Sequence, residues 1–152
     1  MTQHPVVAPK LEEFEAARQT VSAVAIETPL ILSHWLTEEL GQDIYLKCEN
    51  LQRTGAYKLR GAYNRMSKLT ATERKLGVVA ASAGNHAQGV ALAAAKLGVA
   101  AKIFMPIGAS LPKIQATRGY GAEVVLTGQT FAEALHAAQE YVKTTGAIFI
   151  PP

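Results

Sequence analysis

Apolar residues follow two different patterns along this chain. Near the N-terminus, Leu11, Phe14, Ala17, Val21 and Val24 recur every three or four positions, which predicts a helix with one apolar face. Caps, glycines and polarity predict the shorter elements around it. These are a loose tail at 1–10, a helix at 33–40, a strand at 44–49, a polar turn at 50–55 and a helix at 56–69.

From residue 77 onward, short apolar runs alternate with helical patterns. Strands are predicted at 78–81, 100–105, 123–126 and 148–150, and helices at 85–97, 111–119 and 130–144. Strands without polar alternation are buried on both faces, and helices between such strands are the crossovers of a parallel sheet. The sequence therefore predicts an α/β fold, a parallel sheet with flanking helices.

Composition narrows the class of protein. The hydrophobic fraction is 49%, and the formal net charge of +3 comes from basic residues scattered along the chain, which is not the pattern of a nucleic-acid-binding module. The one cysteine, Cys48, can form neither an internal disulfide nor a metal cluster. No apolar run approaches the ~20 residues that a membrane span needs. We expect a cytoplasmic protein without metal, nucleic-acid or membrane partners.

The first candidate for chemistry is Lys58. It lies in the opening turn of a predicted helix, where the helix dipole is positive, and Arg60 close by adds a second positive charge. A lysine that serves only solubility is poorly placed there, whereas a lysine that reacts as a neutral amine with an aldehyde is well placed. The alternative from charge alone is a solvated lysine at a frayed helix start.

The second candidate is the junction between the first strand of the parallel series and the helix after it. Free backbone N–H groups at such a junction predict an anion site. Ser82 and Asn85 can add hydrogen bonds, and Gly84 lets a ligand approach the backbone. His86 is either a general base or a packed or capping histidine. An ordinary helix cap made by Ser82 or Asn85 is the alternative interpretation of the whole junction.

Two motifs carry a resemblance to a known family. The segments Thr54–Gly61 (TGAYKLRG) and Ser82–Gly89 (SAGNHAQG) resemble threonine dehydratases of the fold-type II pyridoxal-phosphate enzymes, and the resemblance runs from about Leu11 to Pro152. It implies pyridoxal 5'-phosphate as the cofactor and a small amino acid as the substrate. The implied reaction converts L-threonine or L-serine into a 2-oxo acid and ammonia.

The resemblance also implies roles for individual residues. Lys58 holds the cofactor covalently and takes the α-proton of the substrate, Tyr57 packs its ring against the cofactor, and Asn85 hydrogen-bonds the phenolic oxygen of the cofactor. The implied substrate-carboxylate loop consists of Ser82, Gly84, Asn85 and His86. A nucleotide effector at a subunit interface is implied for Arg53, Thr54 and Gln88, with an ordinary dimer contact as the alternative.

Two positions depart from the family pattern. Ala56 replaces a serine near the cofactor phosphate, and Ala83 replaces the serine that acts as the second base in related serine racemases. The second departure favours dehydration over racemisation. A serine racemase or serine dehydratase is the alternative within the family.

The resemblance further implies how the chain is organised. Residues 1–52 correspond to the N-terminal segment of a larger domain, and residues 53–152 correspond to a small α/β domain with the cofactor lysine and the substrate loop. Family members continue into a glycine-rich loop for the cofactor phosphate, which this sequence lacks. We therefore expect the rest of the large domain to be absent and activity to need that part or a homo-oligomeric partner. The competing interpretation is a non-catalytic fragment that pairs with a full-length subunit.

Overall fold

The structure is a computed structural model that describes residues 8–152, so most of the predicted N-terminal tail, Met1–Val7, lies outside the described residues. Its helices are α1 (Leu11–Val21), α2 (His34–Leu40), α3 (Lys58–Ser67), α4 (Ala71–Leu76), α5 (Asn85–Leu97), α6 (Leu111–Gly119) and α7 (Phe131–Thr145). Its strands are β1 (Leu30–Leu32), β2 (Tyr45–Lys47), β3 (Val78–Ala81), β4 (Ala101–Met105), β5 (Glu123–Leu126) and β6 (Ile148–Phe149). One short 3-10 helix spans Glu49–Leu51.

Four strands form a parallel sheet in the order β5-β4-β3-β6. β3 is therefore an inner strand, paired with β4 from Val78 to Ala81 and with β6 at Val78 and Val79. All four of its residues are buried, as its unbroken apolar sequence predicts. The predicted α/β class with a parallel sheet and flanking helices is confirmed.

The core lies on both faces of the sheet because successive strand residues point in opposite directions. Val78 and Ala80 of β3 join a large cluster with residues of α3, α5 and α6. Val79 and Ala81 join a smaller cluster on the α7 side. There Ala134 and Ala138 let α7 lie close to the sheet, and the rings of Phe104 and Tyr141 are 5.8 Å apart.

Apart from the 3-10 helix, which replaces the end of a predicted strand and part of a predicted turn, one α-helix and one strand were missed in the sequence. Helix α4 is closed at its start by Thr70, whose hydroxyl accepts a hydrogen bond from the Glu73 amide while the Glu73 carboxylate accepts one from the Thr70 amide. The spacing of Thr70 and Glu73 is a capping-box signature that was readable in the sequence. Strand β1 has three residues and exists through antiparallel pairing with β2, which no local pattern specifies.

The β1–β2 ribbon forms a sheet of its own, separate from the parallel sheet. It exposes large apolar side chains on both faces, as does α2 beside it in the chain. Relative exposures are 63% for Leu30, 50% for Ile31, 54% for Tyr45, 46% for Leu46 and 70% for Trp35. A ribbon of this composition is typical of a surface that packs against further structure. Among the described helices, none combines the length and apolarity needed to cross a membrane.

Substitution in the inner part of the sheet is expected to test the described core. Ile103 in β4 is fully buried, so Ile103→Ala should lower the free energy of unfolding by about 2–5 kcal/mol through lost burial and a residual cavity. Ile107 is 55% exposed just after the same strand, so Ile107→Ala should change it by less than about 0.5 kcal/mol. Urea unfolding measures both, and equal losses would contradict this placement of β4.

Candidate active site

Lys58 is the first residue of α3, so it lies in the opening turn of a helix as predicted, although the helix starts two residues later than the predicted residue 56. The preceding residue, Tyr57, has helical backbone angles and provides no side-chain cap for the helix. The ammonium of Lys58 lies 5.5 Å from the centroid of the Tyr57 ring, within range of a cation–π interaction. Within residues 8–152, Nζ of Lys58 makes no hydrogen bond, so the amine is available to a ligand.

A cleft of about 350 Å³ brings three of the predicted site residues together. Lys58, Tyr57 and His86 line it together with Ile150 and Pro151. The remaining lining residues are Gly61, Ala62, Arg65 and Pro152. His86 lies just after β3 and Ile150 just after β6, so the cleft is at the carboxyl end of the parallel strands, where ligands of open α/β sheets bind.

The loop from β3 to α5 leaves the start of α5 without a side-chain cap. The N-cap is Gly84, and the Ser82 hydroxyl accepts a hydrogen bond from the Gly84 amide instead of from the helix. The Asn85 side-chain oxygen accepts a hydrogen bond from Lys113 at 2.8 Å. The ordinary-cap interpretation is therefore wrong for Ser82 and Asn85, and the first N–H groups of α5 face the loop without a side-chain acceptor. Ser82, Gly84 and Asn85 adjoin the cleft in sequence but are not among its lining residues.

His86 is a packed histidine with one defined hydrogen bond. Its Nε2 lies 3.0 Å from the carbonyl oxygen of Ile150, and the residue is 5% exposed. Because a carbonyl only accepts, Nε2 carries the hydrogen and Nδ1 is the unprotonated nitrogen of the neutral ring. Burial lowers the pKa of His86, the Ile150 carbonyl opposes that shift, and the positive charge of Lys58 lowers the pKa further. Of the two interpretations left open for His86, the structure favours the packed one.

Hydrogen bonds of Gln52 and an ion pair of Arg60 hold the chain segment around Lys58 in place. The amide of Gln52, which is 4% exposed, bonds both backbone groups of Ile26, at 3.0 Å through Oε1 and 2.9 Å through Nε2. The Arg60 guanidinium binds both oxygens of the Glu49 carboxylate at 2.7 and 2.8 Å. The bond from Arg60 is the main cause that lowers the pKa of Glu49 to about 2, with burial acting against it and Thr28 assisting. The expectation that Arg60 adds free positive charge near Lys58 was wrong, because Glu49 neutralises that charge.

The three residues predicted to bind a nucleotide effector do not share a described cleft. Thr54 is 6% exposed and its hydroxyl donates to the carbonyl of Ala56. Gln88 is 7% exposed within α5. Arg53 is exposed, and its Nε donates to the carbonyl of Val24 at 2.7 Å. Two of the three side chains are thus buried within the fold.

A larger cleft of about 570 Å³ lies on the N-terminal segment, away from Lys58. Arg18, Lys47 and Arg60 line it, but Arg60 is paired with Glu49 and Lys47 donates to the carbonyl of Thr28 at 2.6 Å. Two of its three cations are therefore already bound within the chain. In residues 8–152, no three His, Cys, Asp or Glu side chains are grouped as a metal site.

Sequence reasoning missed the residues that complete the site from distant parts of the chain. Ile150 and Pro151 border the cleft, and Lys113 binds Asn85 across 28 positions. No local pattern around any of these residues signals such a role. Only the order of the strands brings the end of β6 beside the end of β3.

The burial of His86 predicts a pH dependence of stability. The folded ring has a pKa below its ordinary value of 6.5, so the unfolded state binds more protons once the pH falls through 6.5, and the free energy of unfolding falls with it. His86→Gln retains a donor for Ile150 but does not titrate. This variant should lack the His86 contribution to the fall in the free energy of unfolding between about pH 8 and about pH 5. The control is His136→Gln, a change at an exposed position of α7. Urea midpoints measured across this range check the prediction, and a wild-type pH dependence in His86→Gln would contradict it.

Comparison with known proteins finds similarity to two threonine enzymes and to a serine racemase. L-threonine ammonia-lyase of Thermotoga maritima is 53% identical over 142 residues, which are 93% of this chain and 35% of that protein. The solved structure of processed threonine deaminase isoform 2 from Solanum lycopersicum has a TM-score of 0.82 and 45% identity, covering 95% of this chain and 44% of that one. Maize serine racemase has a TM-score of 0.88 and 30% identity, covering 95% and 44%.

The chain thus spans less than half the length of each of these three proteins. The family described as pyridoxal-phosphate dependent enzymes matches residues 21–152, which is most of the sequence. The match includes the cleft, the loop from β3 to α5 and all four strands of the parallel sheet. The chain belongs to the family of pyridoxal-phosphate dependent enzymes.

Proposed function

We propose that this chain provides the cofactor lysine and the substrate loop for the conversion of L-threonine, and of L-serine, into a 2-oxo acid and ammonia. The observation that carries the proposal is the cleft in which the free amine of Lys58, the ring of Tyr57 and the buried His86 meet at the carboxyl end of the parallel sheet. The names of the two threonine enzymes, at 53% and 45% identity, support this substrate class.

The residues present fit pyridoxal phosphate. The unbonded amine of Lys58 suits an aldehyde, and the Tyr57 ring together with Ile150 and Pro151 suits a flat aromatic ring. The uncapped start of α5 suits an anionic group. When bound, the cofactor accepts the electron pair left behind as the α-proton departs.

The chain's own residues then have distinct tasks in this proposal. Nζ of Lys58 receives the α-proton, which a lysine can do only as a neutral amine. Asn85 would donate a hydrogen bond from Nδ2 to the phenolic oxygen of the bound cofactor, since its Oδ1 is already bound to Lys113. The substrate carboxylate is bound by the loop of Ser82, Gly84, Asn85 and His86. In the net reaction, the α-proton and the β-hydroxyl would leave as one molecule of water, and a second water would hydrolyse the released product to the 2-oxo acid and ammonia.

Serine racemisation is the second candidate, because the fold of maize serine racemase is closely similar. Racemisation needs a proton carrier on each face of the substrate. Ala83, in the substrate loop, has no group that can carry a proton, which supports dehydration. Nucleotide binding at Arg53, Thr54 and Gln88 remains a prediction, weakened by the burial of Thr54 and Gln88.

We further propose that residues 1–52 belong to a larger domain and residues 53–152 to a small one. The separate β1–β2 ribbon with its exposed apolar faces supports this division. On this proposal the ribbon is covered by further strands, supplied by additional sequence or by a second subunit in a homo-oligomer. A non-catalytic chain that pairs with a longer subunit is the alternative.

Cofactor attachment to the 152-residue chain tests the proposal. After addition of pyridoxal phosphate and reduction with borohydride, mass spectrometry should find the adduct at Lys58 in clear excess over the other lysines. Lys58→Arg should abolish this adduct and the associated visible absorbance, because a guanidinium does not react with the aldehyde. Lys68→Arg, at the exposed end of the same helix, should retain both. An adduct spread evenly over the lysines would refute the proposed site.

A further inference from the structure

Helix α5 contains a glycine that the helix itself does not require. Gly89 lies in the second turn of α5, is buried, and does not have a positive φ. Alanine is the better residue in the interior of a helix, since glycine there gains nothing and loses backbone entropy on folding. The reason for a glycine at this position must therefore lie in what packs against it.

The backbone of Lys58 packs against Gly89. A Cβ at position 89 would lie 3.0 Å from the amide nitrogen of Leu59, 3.0 Å from the carbonyl carbon of Lys58 and 3.1 Å from the Lys58 oxygen. These are backbone atoms in the first turn of α3, so no side-chain rotation can relieve the contact. Other helical glycines differ, because a Cβ at Gly61 or Gly119 would meet nothing within 4 Å.

The position of Gly89 on α5 connects this contact to the cleft. Residues three and four positions apart share one face of a helix, so Gly89 lies on the same face as His86 and Asn85. The first turn of α5 thus contributes His86 to the cleft, and the next turn touches the backbone of Lys58 through Gly89. The separation between the lysine and the loop is set by two turns of one rigid helix.

We infer that Gly89 is a positioning residue for Lys58, because its missing side chain lets α5 touch the Lys58 backbone and so sets the distance from the lysine amine to the β3–α5 loop. The inference rests on the proposed function only where it assigns cofactor attachment to Lys58. Leu59 in the same turn of α3 has no exposed surface and belongs to the large core cluster, so the turn cannot shift without disturbing the core.

The variant Gly89→Ala tests the inference. We expect it to fold, and to show at least about tenfold less pyridoxal-phosphate adduct at Lys58 after borohydride reduction, because displacements well below 1 Å impair reactive geometry. Labelling of the other lysines should equal that of the wild type. Backbone amide resonances of Lys58 and Leu59 should shift in the absence of cofactor.

Two controls separate positioning from general loss of stability. Gly119→Ala makes the same chemical change where a Cβ meets nothing, and should leave both readouts unchanged. Val90→Ala removes fully buried atoms beside Gly89, and should lower the unfolding midpoint without changing the preference for Lys58. If Gly89→Ala unfolds, it is labelled in sucrose alongside the wild type, because sucrose favours the compact state.

The outcomes distinguish the inference from the proposed function. Wild-type labelling without preference for Lys58 would refute the proposed cofactor site, and the amide resonances would then decide the inference alone. A Gly89→Ala chain with wild-type labelling and unshifted Lys58 and Leu59 amides would overturn the inference. An equal loss of Lys58 labelling in Val90→Ala would overturn it as well, since that effect would be stability and not position.

Discussion

Strand β3 is hydrogen-bonded to β4 on one side and to β6 on the other, and each of its residues is buried. Val78 and Ala80 pack under α3 and α5, whereas Val79 and Ala81 pack under α7. A shift of one residue would exchange these two faces, so the register is strongly fixed. The end of β3 at Ala81 therefore fixes the start of the loop, the start of α5 and the position of His86. The position of this buried strand therefore determines the geometry of the cleft.

Helix α5 begins at the end of this loop and packs against α3, so it fixes where Lys58 lies relative to β3. It packs along α3 in the most extensive helix contact of the described chain. On α5, Gly89 is buried against the backbone of Lys58, and Ala87 and Ala91 near it are buried small residues as well. The bonds of Gln52 to Ile26 and of Arg60 to Glu49 hold the segment before α3. Apolar packing against α5 and satisfied polar groups therefore both hold the segment that carries Lys58.

The cations near the cleft differ in how they are bound. Arg60 is neutralised by the Glu49 carboxylate, whereas Lys113 donates to the neutral amide of Asn85 and keeps its charge. Within residues 8–152, Lys58 has an aromatic ring beside it but no acceptor, and the start of α5 has no side-chain cap. An amine that lines the cleft and an uncapped helix start that adjoins it in sequence suit a ligand that carries both an aldehyde and anionic groups.

The sequence by itself determined the fold class and most of the parallel unit. Four elements begin and end at the predicted residues, namely β3, α5, α6 and β5. The spacing of apolar residues and the glycines at element ends predicted these bounds, because the elements follow local rules of burial and capping. The sequence also predicted Lys58 and the loop from Ser82 to His86 as site residues, through the two motifs that carry the family resemblance. It could not indicate that Ile150 borders the cleft, that Glu49 neutralises Arg60, or that Gly89 touches the backbone of Lys58. Those contacts join residues far apart in the chain, and only the packing of the helices on the sheet brought them together.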